Sequence, residues 1–198
     1  MDPTQLAARK QKWRTQIRDQ RAALTEQDRR AADAAIRANV EDYLRNHLPA
    51  QASVASYLPS ANEPGGAALT AWAHEYAGAL WLPKVVGTHE LSWGQLGPHQ
   101  ELHAGNFGIM EPSTDLVDFS AIPHVAAVIL PGLGATPTGR RLGQGGGYYD
   151  RLLAAVQIPK ILVLYAREIN ADIPFEAHDI GVDVLITEAG VLEVGSVQ

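Results

Sequence analysis

Cysteine is absent from this chain of 198 residues. Its absence excludes disulfide bridges and thiolate metal sites, although it does not indicate a cellular compartment. Long apolar runs are missing as well. The longest one near the middle of the chain, Val125–Leu130, is far too short to cross a bilayer. Charged residues appear early, at Arg9 and Lys10, and leave no apolar stretch of signal-peptide length, so we expect a cytoplasmic protein.

Basic residues are outnumbered in this sequence, with 16 Lys and Arg against 22 Asp and Glu and a net charge of −6. Residues 1–24 nevertheless carry six basic residues against Asp2 and Asp19, a local charge of +4, so the rest of the chain carries −10. A short cationic segment on an acidic protein favours a confined anionic ligand over a nucleic-acid backbone. We therefore expect small molecules as partners, and neither nucleic acid nor a membrane. We also expect a monomer.

Two helices are predicted at the start of the chain. Over residues 4–23, apolar residues recur at helical spacing and basic residues fall on the adjoining arc. The apolar stripe consists of Leu6, Trp13, Ile17 and Leu24, and the basic arc consists of Lys10, Arg14, Arg18 and Arg21. Thr25 and Asp28 resemble a capping box, which would open a second helix that continues to about His47.

Strands alternate with helices in the rest of the chain. Strands are predicted at 52–58, 80–83, Val125–Leu130, 160–165 and 182–187, and helices at 67–77 and 148–156. The alternation predicts an α/β protein with three layers, α/β/α, around a mainly parallel central sheet. We expect a single domain over 1–198, in which the N-terminal helices of residues 4–47 pack on an α/β core of residues 52–188.

Residues 87–123 are less regular than their surroundings. Trp93, Gly94 and Gly97 indicate a hairpin or flap, in which Trp93 is interpreted as a structural aromatic in preference to a substrate-facing one. His99 and His103 suggest a metal pair, but no helix and no third ligand accompany them in the sequence. A histidine metal site is therefore disfavoured.

The most informative segment follows the strand Val125–Leu130. A Gly/Pro-rich stretch runs from Pro131 to a helix that begins near Tyr148, and residues 139–147 of it are called the glycine loop below. A loop that enters a helix N-terminus offers unpaired N–H groups and a positive dipole end, which suit phosphate, and Arg140 and Arg141 add cationic donors. Neither a Walker A loop nor a dinucleotide fingerprint is present. A turn that merely needs small residues remains the alternative.

The glycine loop also carries a specific resemblance. The segment Gly139-x-Arg141-Leu142-Gly143-x-Gly145-Gly146-Gly147-Tyr148-Tyr149-Asp150-Arg151 resembles the signature of the 5-formyltetrahydrofolate cyclo-ligase (methenyltetrahydrofolate synthetase) family. Further matches in the same order are Lys10-x3-Arg14, Tyr57-Leu58-Pro59 with Glu63, Leu82-Pro83, the segment 108–112, and the segment from His178-Asp179 to Glu188. The resemblance therefore extends over nearly the whole chain.

The resemblance implies a function. The family couples ATP hydrolysis to the cyclisation of 5-formyltetrahydrofolate to 5,10-methenyltetrahydrofolate through a phosphorylated formyl intermediate, with release of ADP and phosphate. It also implies Mg²⁺ as a cofactor, and a fold resembling that of the sugar-phosphate isomerases and CoA transferases. Chemistry of this kind needs a clamp on a polyanion and its metal more than it needs a strong base.

Roles for individual residues follow from the same resemblance. Arg141 and Lys10 are the expected catalytic residues, and Asp150 and Asp179 the expected ligands of Mg²⁺. The expected ATP-binding residues are Lys10, Arg14, Gly139, Arg141, Leu142, Gly143, Gly145, Gly146, Gly147, Tyr148 and Tyr149. The expected substrate-binding residues are Leu58, Glu63 and Tyr149.

Structural roles are the alternatives for several of these residues. Lys10 and Arg14 could belong to a solvated helix face, Asp150 could favour a helix dipole, and Asp179 could be a turn residue. One of Tyr148 and Tyr149 could serve packing alone.

The sequence also departs from the family. Pro64-Gly65-Gly66 stands where an acidic or polar residue and Thr often follow the glutamate, and Gln144 stands where an aromatic or basic residue is frequent. The changed residues after Glu63 leave a second hypothesis open: a non-catalytic paralogue that binds folate or nucleotide and regulates one-carbon metabolism.

Overall fold

A computed structural model gives the fold of the chain. It describes residues 2–49, 51–66, 69, 78–88, 90–96, 102–104, 110–112, 115–176 and 179–194. The helices are α1 Pro3–Ala22, α2 Glu26–His47 and α3 Tyr148–Ala155, with short 3₁₀ helices at Phe119–Ala121 and Ala166–Glu168. The strands are β1 Ser53–Ala55, β2 Ala79–Gly87, β3 Glu90–Leu96, β4 Leu102–Ala104, β5 Met110–Pro112, β6 Leu116–Val117, β7 Val125–Leu130, β8 Gly134–Ala135, β9 Arg141–Leu142, β10 Lys160–Val163, β11 Val184–Thr187 and β12 Gly190–Glu193.

The two N-terminal helices begin and end close to their predicted positions. The side chain of Asp2 caps α1 by accepting a hydrogen bond from the Thr4 N–H. Thr25 caps α2 in the same way, accepting from the Asp28 N–H at 3.1 Å. Both caps satisfy backbone donors that a helix N-terminus leaves without partners. The N-cap predicted at Thr25 is confirmed, whereas the Asp28 carboxylate accepts from the Thr25 hydroxyl at 2.7 Å, which differs from a reciprocal capping box.

A mixed sheet of eight strands forms the centre, in the order β12-β11-β10-β7-β1-β2-β3-β6. The five strands from β11 to β2 run parallel to one another. The remaining pairs, β11–β12, β2–β3 and β3–β6, are antiparallel. The predicted, mainly parallel sheet is confirmed. The predicted hairpin is present as β2–β3, whose first strand continues to Gly87, well beyond the predicted end at 83.

Alternate residues of the strands enter two cores, one on each face of the sheet. Val54, Ile129 and Ile161 pack in one core against Ile36, Val40 and Leu44 of α2. Val128, Leu130 and Leu162 pack in the other against Leu153 of α3, and this core also holds Trp93. Helices therefore cover both faces, which confirms the predicted three layers. Trp93 is fully buried against Phe119, with ring centroids 5.2 Å apart, as a structural aromatic would be.

Helix α1 lies against the small ribbon β8–β9 rather than on the central sheet. Ile17 packs with Leu133, Leu142 and Ile173 in a third apolar cluster. Arg21 was predicted to lie on the basic arc beside the apolar stripe, and it is only 2% exposed. Its guanidinium donates to both carboxylate oxygens of Glu168, at 2.7 and 2.8 Å, and to the Gly132 carbonyl oxygen at 2.8 Å. Arg21 thus helps to hold α1 in place.

Several predicted features lie outside the described residues. They are His99, the side chain of His103, His178, the segment 108–109 and, apart from Leu69, the helix predicted at 67–77. Among the helices that the structure does describe, none is long and apolar enough to cross a bilayer.

Candidate active site

The site forms where the carboxyl ends of parallel strands meet. Strands β1 and β7 are parallel neighbours, so the loop after β1, which carries Glu63, and the glycine loop after β7 leave the sheet at one edge. Ligands of open α/β sheets commonly bind at this edge. Gly147, with φ of 69°, is the N-cap of α3 and turns the loop into that helix.

Helix α1 holds the glycine loop from the other side. Arg14 Nε donates to the Gly143 carbonyl oxygen at 3.0 Å, and Arg18 donates to the side-chain oxygen of Gln144 at 3.1 Å. Burial, followed by the positive charge of Arg18, lowers the pKa of Arg14. Because these bonds fix the loop to α1, the predicted cationic helix and the predicted phosphate loop form one surface.

Lys10 is almost fully buried between two carboxylates. Its Nζ donates to Asp179 Oδ2 at 2.6 Å and to Glu176 Oε2 at 2.7 Å. Burial favours the neutral amine, but the hydrogen bonds and negative charges of Asp179 and Glu176 outweigh it and raise the pKa of Lys10. The ammonium is therefore held in its charged form.

Arg141, at the start of β9, is 8% exposed. It donates to Asp150 Oδ1 at 2.6 Å and to the Pro131 carbonyl oxygen at 3.3 Å, and its guanidinium carbon lies 6.0 Å from the ring centre of Tyr149. Its buried Nε finds no hydrogen-bond partner among the described residues. A buried donor without a partner is costly unless a ligand satisfies it, so this guanidinium retains capacity for an anion.

Two cavities, each of about 260 Å³, lie on either side of the glycine loop. The first, called the apolar cavity, is lined mainly by apolar and aromatic side chains: Tyr57, Leu58, Leu82, Pro83, Val85, Leu91, Tyr148 and Tyr149. The carboxylate of Glu63 also lines it. The second, called the charged cavity, is lined by Lys10, Arg14, Leu142, Glu176 and Asp179. Both are lined by Arg141, Gly143, Gly145, Gly147 and Asp150, so these residues stand between the two.

Glu63 is fixed at the mouth of the apolar cavity. Its carboxylate accepts from the Ser60 N–H at 2.9 Å and from the Gln144 side-chain amide at 3.2 Å. Gln144 therefore links the two loops that leave β1 and β7. Burial, followed by the negative charge of Glu63, raises the pKa of both Tyr57 and Tyr149, so these phenols stay neutral donors beside the carboxylate.

Comparison with known proteins decides the family. The sequence model of the 5-formyltetrahydrofolate cyclo-ligase family matches residues 6–188. The chain belongs to this family. The 5-formyltetrahydrofolate cyclo-ligase of Mycolicibacterium smegmatis is 31% identical over 172 residues, which cover 81% of this chain and 88% of that one.

Solved structures of the family share the fold. The NMR structure of the Aquifex aeolicus 5,10-methenyltetrahydrofolate synthetase has 32% sequence identity and a TM-score of 0.79, covering 96% of this chain and 94% of that one. The Mycoplasma pneumoniae 5,10-methenyltetrahydrofolate synthetase has a TM-score of 0.73 and covers 90% of this chain and 98% of that one. At 22% identity, the second comparison supports the fold alone.

Most residues that the sequence singles out line one of the two cavities of this cyclo-ligase. Gly139 is different, because it is not among the described residues that line either cavity. Its φ is 79°, and a Cβ there would lie 2.6 Å from the Val182 carbonyl oxygen. Gly139 therefore serves the close approach of the ribbon to residue 182.

Sequence reasoning missed Glu176, which shares Lys10 with Asp179. The spacing in the sequence was the available signal, since Glu176 lies three positions before Asp179. In the structure the Glu176 N–H donates to the Asp179 carboxylate at 2.7 Å. Val85 and Leu91 were missed as well, because the predicted strand ended before Val85 and left the β2–β3 hairpin outside the cavity wall.

The carboxylates of the charged cavity suit a metal that is bound together with phosphate. Asp150, Asp179 and Glu176 all line it, although each is paired with Arg141 or Lys10. No group of three acidic or histidine side chains among the described residues is arranged to enclose a metal ion. Mg²⁺ usually keeps several waters and takes one or two carboxylates plus substrate phosphates, so this donor set fits it.

Proposed function

We propose that this chain is a Mg-ATP-dependent ligase that cyclises 5-formyltetrahydrofolate to 5,10-methenyltetrahydrofolate, releasing ADP and phosphate. The observation that carries the proposal is the pair of cavities that share the Arg141–Asp150 pair and the glycine loop. A reaction between a bulky aromatic substrate and a polyanion needs such adjacent compartments, one apolar and one cationic. Membership of the cyclo-ligase family supplies the identity of the substrates.

The apolar cavity would take the folate. Leu58, Leu82 and Tyr149 offer flat apolar surface to the pterin ring, and the Glu63 carboxylate offers an acceptor for its ring N–H groups. Glu63 can play this part because Ser60 and Gln144 already fix its orientation. Preorganised groups of this kind place a substrate for reaction at little entropic cost.

The charged cavity would take the triphosphate of ATP. Lys10 and Arg14 lie one helical turn apart on α1 and face the same cavity, which Leu142 and the glycine loop close from the other side. The backbone N–H groups of residues 143–147 would cradle phosphate oxygens, and Tyr148, the first residue of α3, adds the positive end of the helix dipole.

Arg141 stands between the cavities and would act on the transferred phosphoryl group. The formyl oxygen attacks the γ-phosphorus, the bond to the β–γ bridging oxygen breaks, and ADP leaves with that electron pair. N10 then attacks the activated carbon and loses its proton, and phosphate leaves with the former formyl oxygen. Arg141 lines both cavities, so its guanidinium would stabilise the charge that develops on the phosphoryl oxygens.

Asp150 and Asp179 would hold Mg²⁺ once the triphosphate has drawn Arg141 and Lys10 towards itself, and Glu176 could join them. When bound, the ion supplies neutralisation of charge on the phosphate oxygens during transfer.

A spectrophotometric assay tests the proposal. Purified protein is mixed with 5-formyltetrahydrofolate, Mg²⁺ and ATP, and the near-ultraviolet absorbance of the methenyl product is followed. We expect the band to appear only when both ATP and Mg²⁺ are present. Binding of folate by calorimetry without any product would instead support the regulatory paralogue.

A further inference from the structure

The segment 58–66 follows β1, carries Glu63, and is called the glutamate loop. Contacts from outside the loop fix its backbone. The Tyr57 hydroxyl donates to the Pro64 carbonyl oxygen at 3.0 Å, and Arg29 donates to the Ala61 carbonyl oxygen at 3.0 Å. The Gly65 N–H donates to Asp33 Oδ1 at 3.0 Å. Because Arg29 and Asp33 are one turn apart on α2, that helix holds the loop at two points.

Asp33 joins three parts of the molecule. The same Oδ1 that accepts from Gly65 also accepts from the Tyr165 hydroxyl at 3.1 Å, and Tyr165, just beyond β10, is 1% exposed. Asp33 itself is half-buried, and burial raises its pKa. Asp33 is not among the described residues that line either cavity, and its hydrogen bond from the Gly65 N–H joins it to the glutamate loop.

The backbone conformation of Gly65 and Gly66 fits the Asp33 carboxylate that faces it. Gly65 has φ of 95° and Gly66 has φ of 53°, conformations that glycine adopts without a steric penalty. A Cβ at Gly66 would lie 2.9 Å from Asp33 Oδ2. The glycine pair that departs from the family pattern is therefore complementary to this carboxylate, since it turns an N–H towards Asp33 and leaves space for the second oxygen.

We propose that Asp33 is a positioning residue of the folate site, which anchors Pro64-Gly65-Gly66 and thereby presents Glu63 to the apolar cavity. The proposal rests on the function proposed above. Asp33 touches neither substrate in this scheme, and its effect passes through the loop backbone. Folate binding should therefore depend on Asp33, whereas ATP binding, which uses α1 and the glycine loop, should not.

The test compares Asp33→Ala with the wild-type protein. We expect the KM and the calorimetric Kd for 5-formyltetrahydrofolate to rise roughly tenfold, the usual effect of losing a hydrogen bond to a charged acceptor. We expect KM for ATP to stay within about twofold, because neither Asp33 nor any residue of the glutamate loop is among the described residues that line the charged cavity. Asp33→Asn should restore most of the folate affinity, since its amide oxygen accepts from the same N–H.

A matched control is Asp42→Ala, which removes an exposed acid of the same helix and should leave both KM values unchanged. Unchanged folate KM in Asp33→Ala, or equal losses for folate and ATP, would refute the positioning role. If Asp33→Ala does not fold, Tyr165→Phe removes the hydroxyl that shares the Asp33 oxygen. It should raise folate KM two- to threefold at unchanged KM for ATP, and an unchanged folate KM would again refute the role.

The two proposals fail in different ways. The proposed function would be refuted if the wild-type protein formed no methenyl product. The positioning role would then be judged on the calorimetric Kd for folate alone, where equal affinities of wild type and Asp33→Ala refute it. Wild-type protein that neither turns over nor binds folate would overturn both.

Discussion

At the residue scale, two of the three cations expected to bind phosphate, Lys10 and Arg141, are already paired with carboxylates. Lys10 lies between Asp179 and Glu176, and Arg141 lies against Asp150. A triphosphate must therefore compete with these partners, and the carboxylates that it displaces are the groups that a metal ion needs. The pairing explains how Lys10 can be both buried and charged before ATP binds.

Arg141→Lys should lower kcat about 10²- to 10³-fold, the usual effect of removing one preorganised donor from a transition state. Lysine keeps the positive charge but cannot offer the forked guanidinium that reaches Asp150, Pro131 and a phosphoryl oxygen. Steady-state kinetics with the methenyl absorbance measure the change. Arg45→Ala, at an exposed residue of α2, is the control and should retain wild-type kcat. Full activity of the lysine variant would remove Arg141 from phosphoryl transfer.

Lys10→Met should weaken ATP binding about 10- to 100-fold, as expected for the loss of hydrogen bonds between charged groups. The substitution also leaves Asp179 and Glu176 facing the triphosphate without a cation, which adds repulsion. Calorimetry gives the Kd for ATP, and Lys12→Met, an exposed residue of the same helix, should leave it unchanged. Equal Kd values for the two variants would return Lys10 to a structural role.

At the element scale, the position of α1 decides whether the site exists. The helix brings Lys10 and Arg14 to the glycine loop, and it is held by the Ile17 cluster and by Arg21. Both Arg21 and Glu168 are almost fully buried, and the Tyr165 N–H also donates to this carboxylate at 3.1 Å. The Arg21–Glu168 pair therefore stabilises the position of α1, although neither residue is among the described residues that line the two cavities.

Arg21→Met should lower the free energy of unfolding by about 3–5 kcal/mol, because it leaves the buried Glu168 carboxylate without its cation. Urea denaturation followed by circular dichroism measures the loss. The double variant Arg21→Met/Glu168→Leu should recover much of it, since no uncompensated charge then remains. A double variant as unstable as the single one would show that the packing of Arg21, rather than its charge, holds α1.

At the scale of the whole molecule, ligand binding should stabilise the fold. The site joins α1, the loop after β1, the loop after β7 and the C-terminal segment with Asp179, which are far apart in the sequence. A ligand that bridges them opposes unfolding of all four. A single domain, a monomeric state and a cytoplasmic location stay predictions at this scale.

Mg-ATP at about 100 times its Kd should add about 2.7 kcal/mol to the free energy of unfolding. For a chain of this size that corresponds to a rise in Tm of roughly 5–10 °C. ATP with EDTA should give a clearly smaller rise, because the displaced carboxylates then face the triphosphate without a metal. Differential scanning fluorimetry measures the Tm without ligand, with Mg-ATP, and with ATP and EDTA. An equal rise with and without Mg²⁺ would argue against Asp150 and Asp179 as metal ligands.

Local patterns in the sequence determined the elements. Helical spacing and the Thr25 cap placed α1 and α2, and the unbroken apolar run placed β7, because these signals depend on neighbouring residues alone. The glycine loop and its arginine were also predicted from the sequence, since their order along the chain is itself the motif.

Only the tertiary structure decided how distant residues are combined. The burial of Arg21 against Glu168, the sharing of Lys10 by Glu176 and Asp179, and the anchoring of the glutamate loop by Asp33 each join positions more than 30 residues apart. Helical periodicity gives the direction of a side chain from its helix axis, but it does not identify the element that packs there. The physical reason is that such contacts are set by the sheet order and by the docking of α1, which no local pattern encodes.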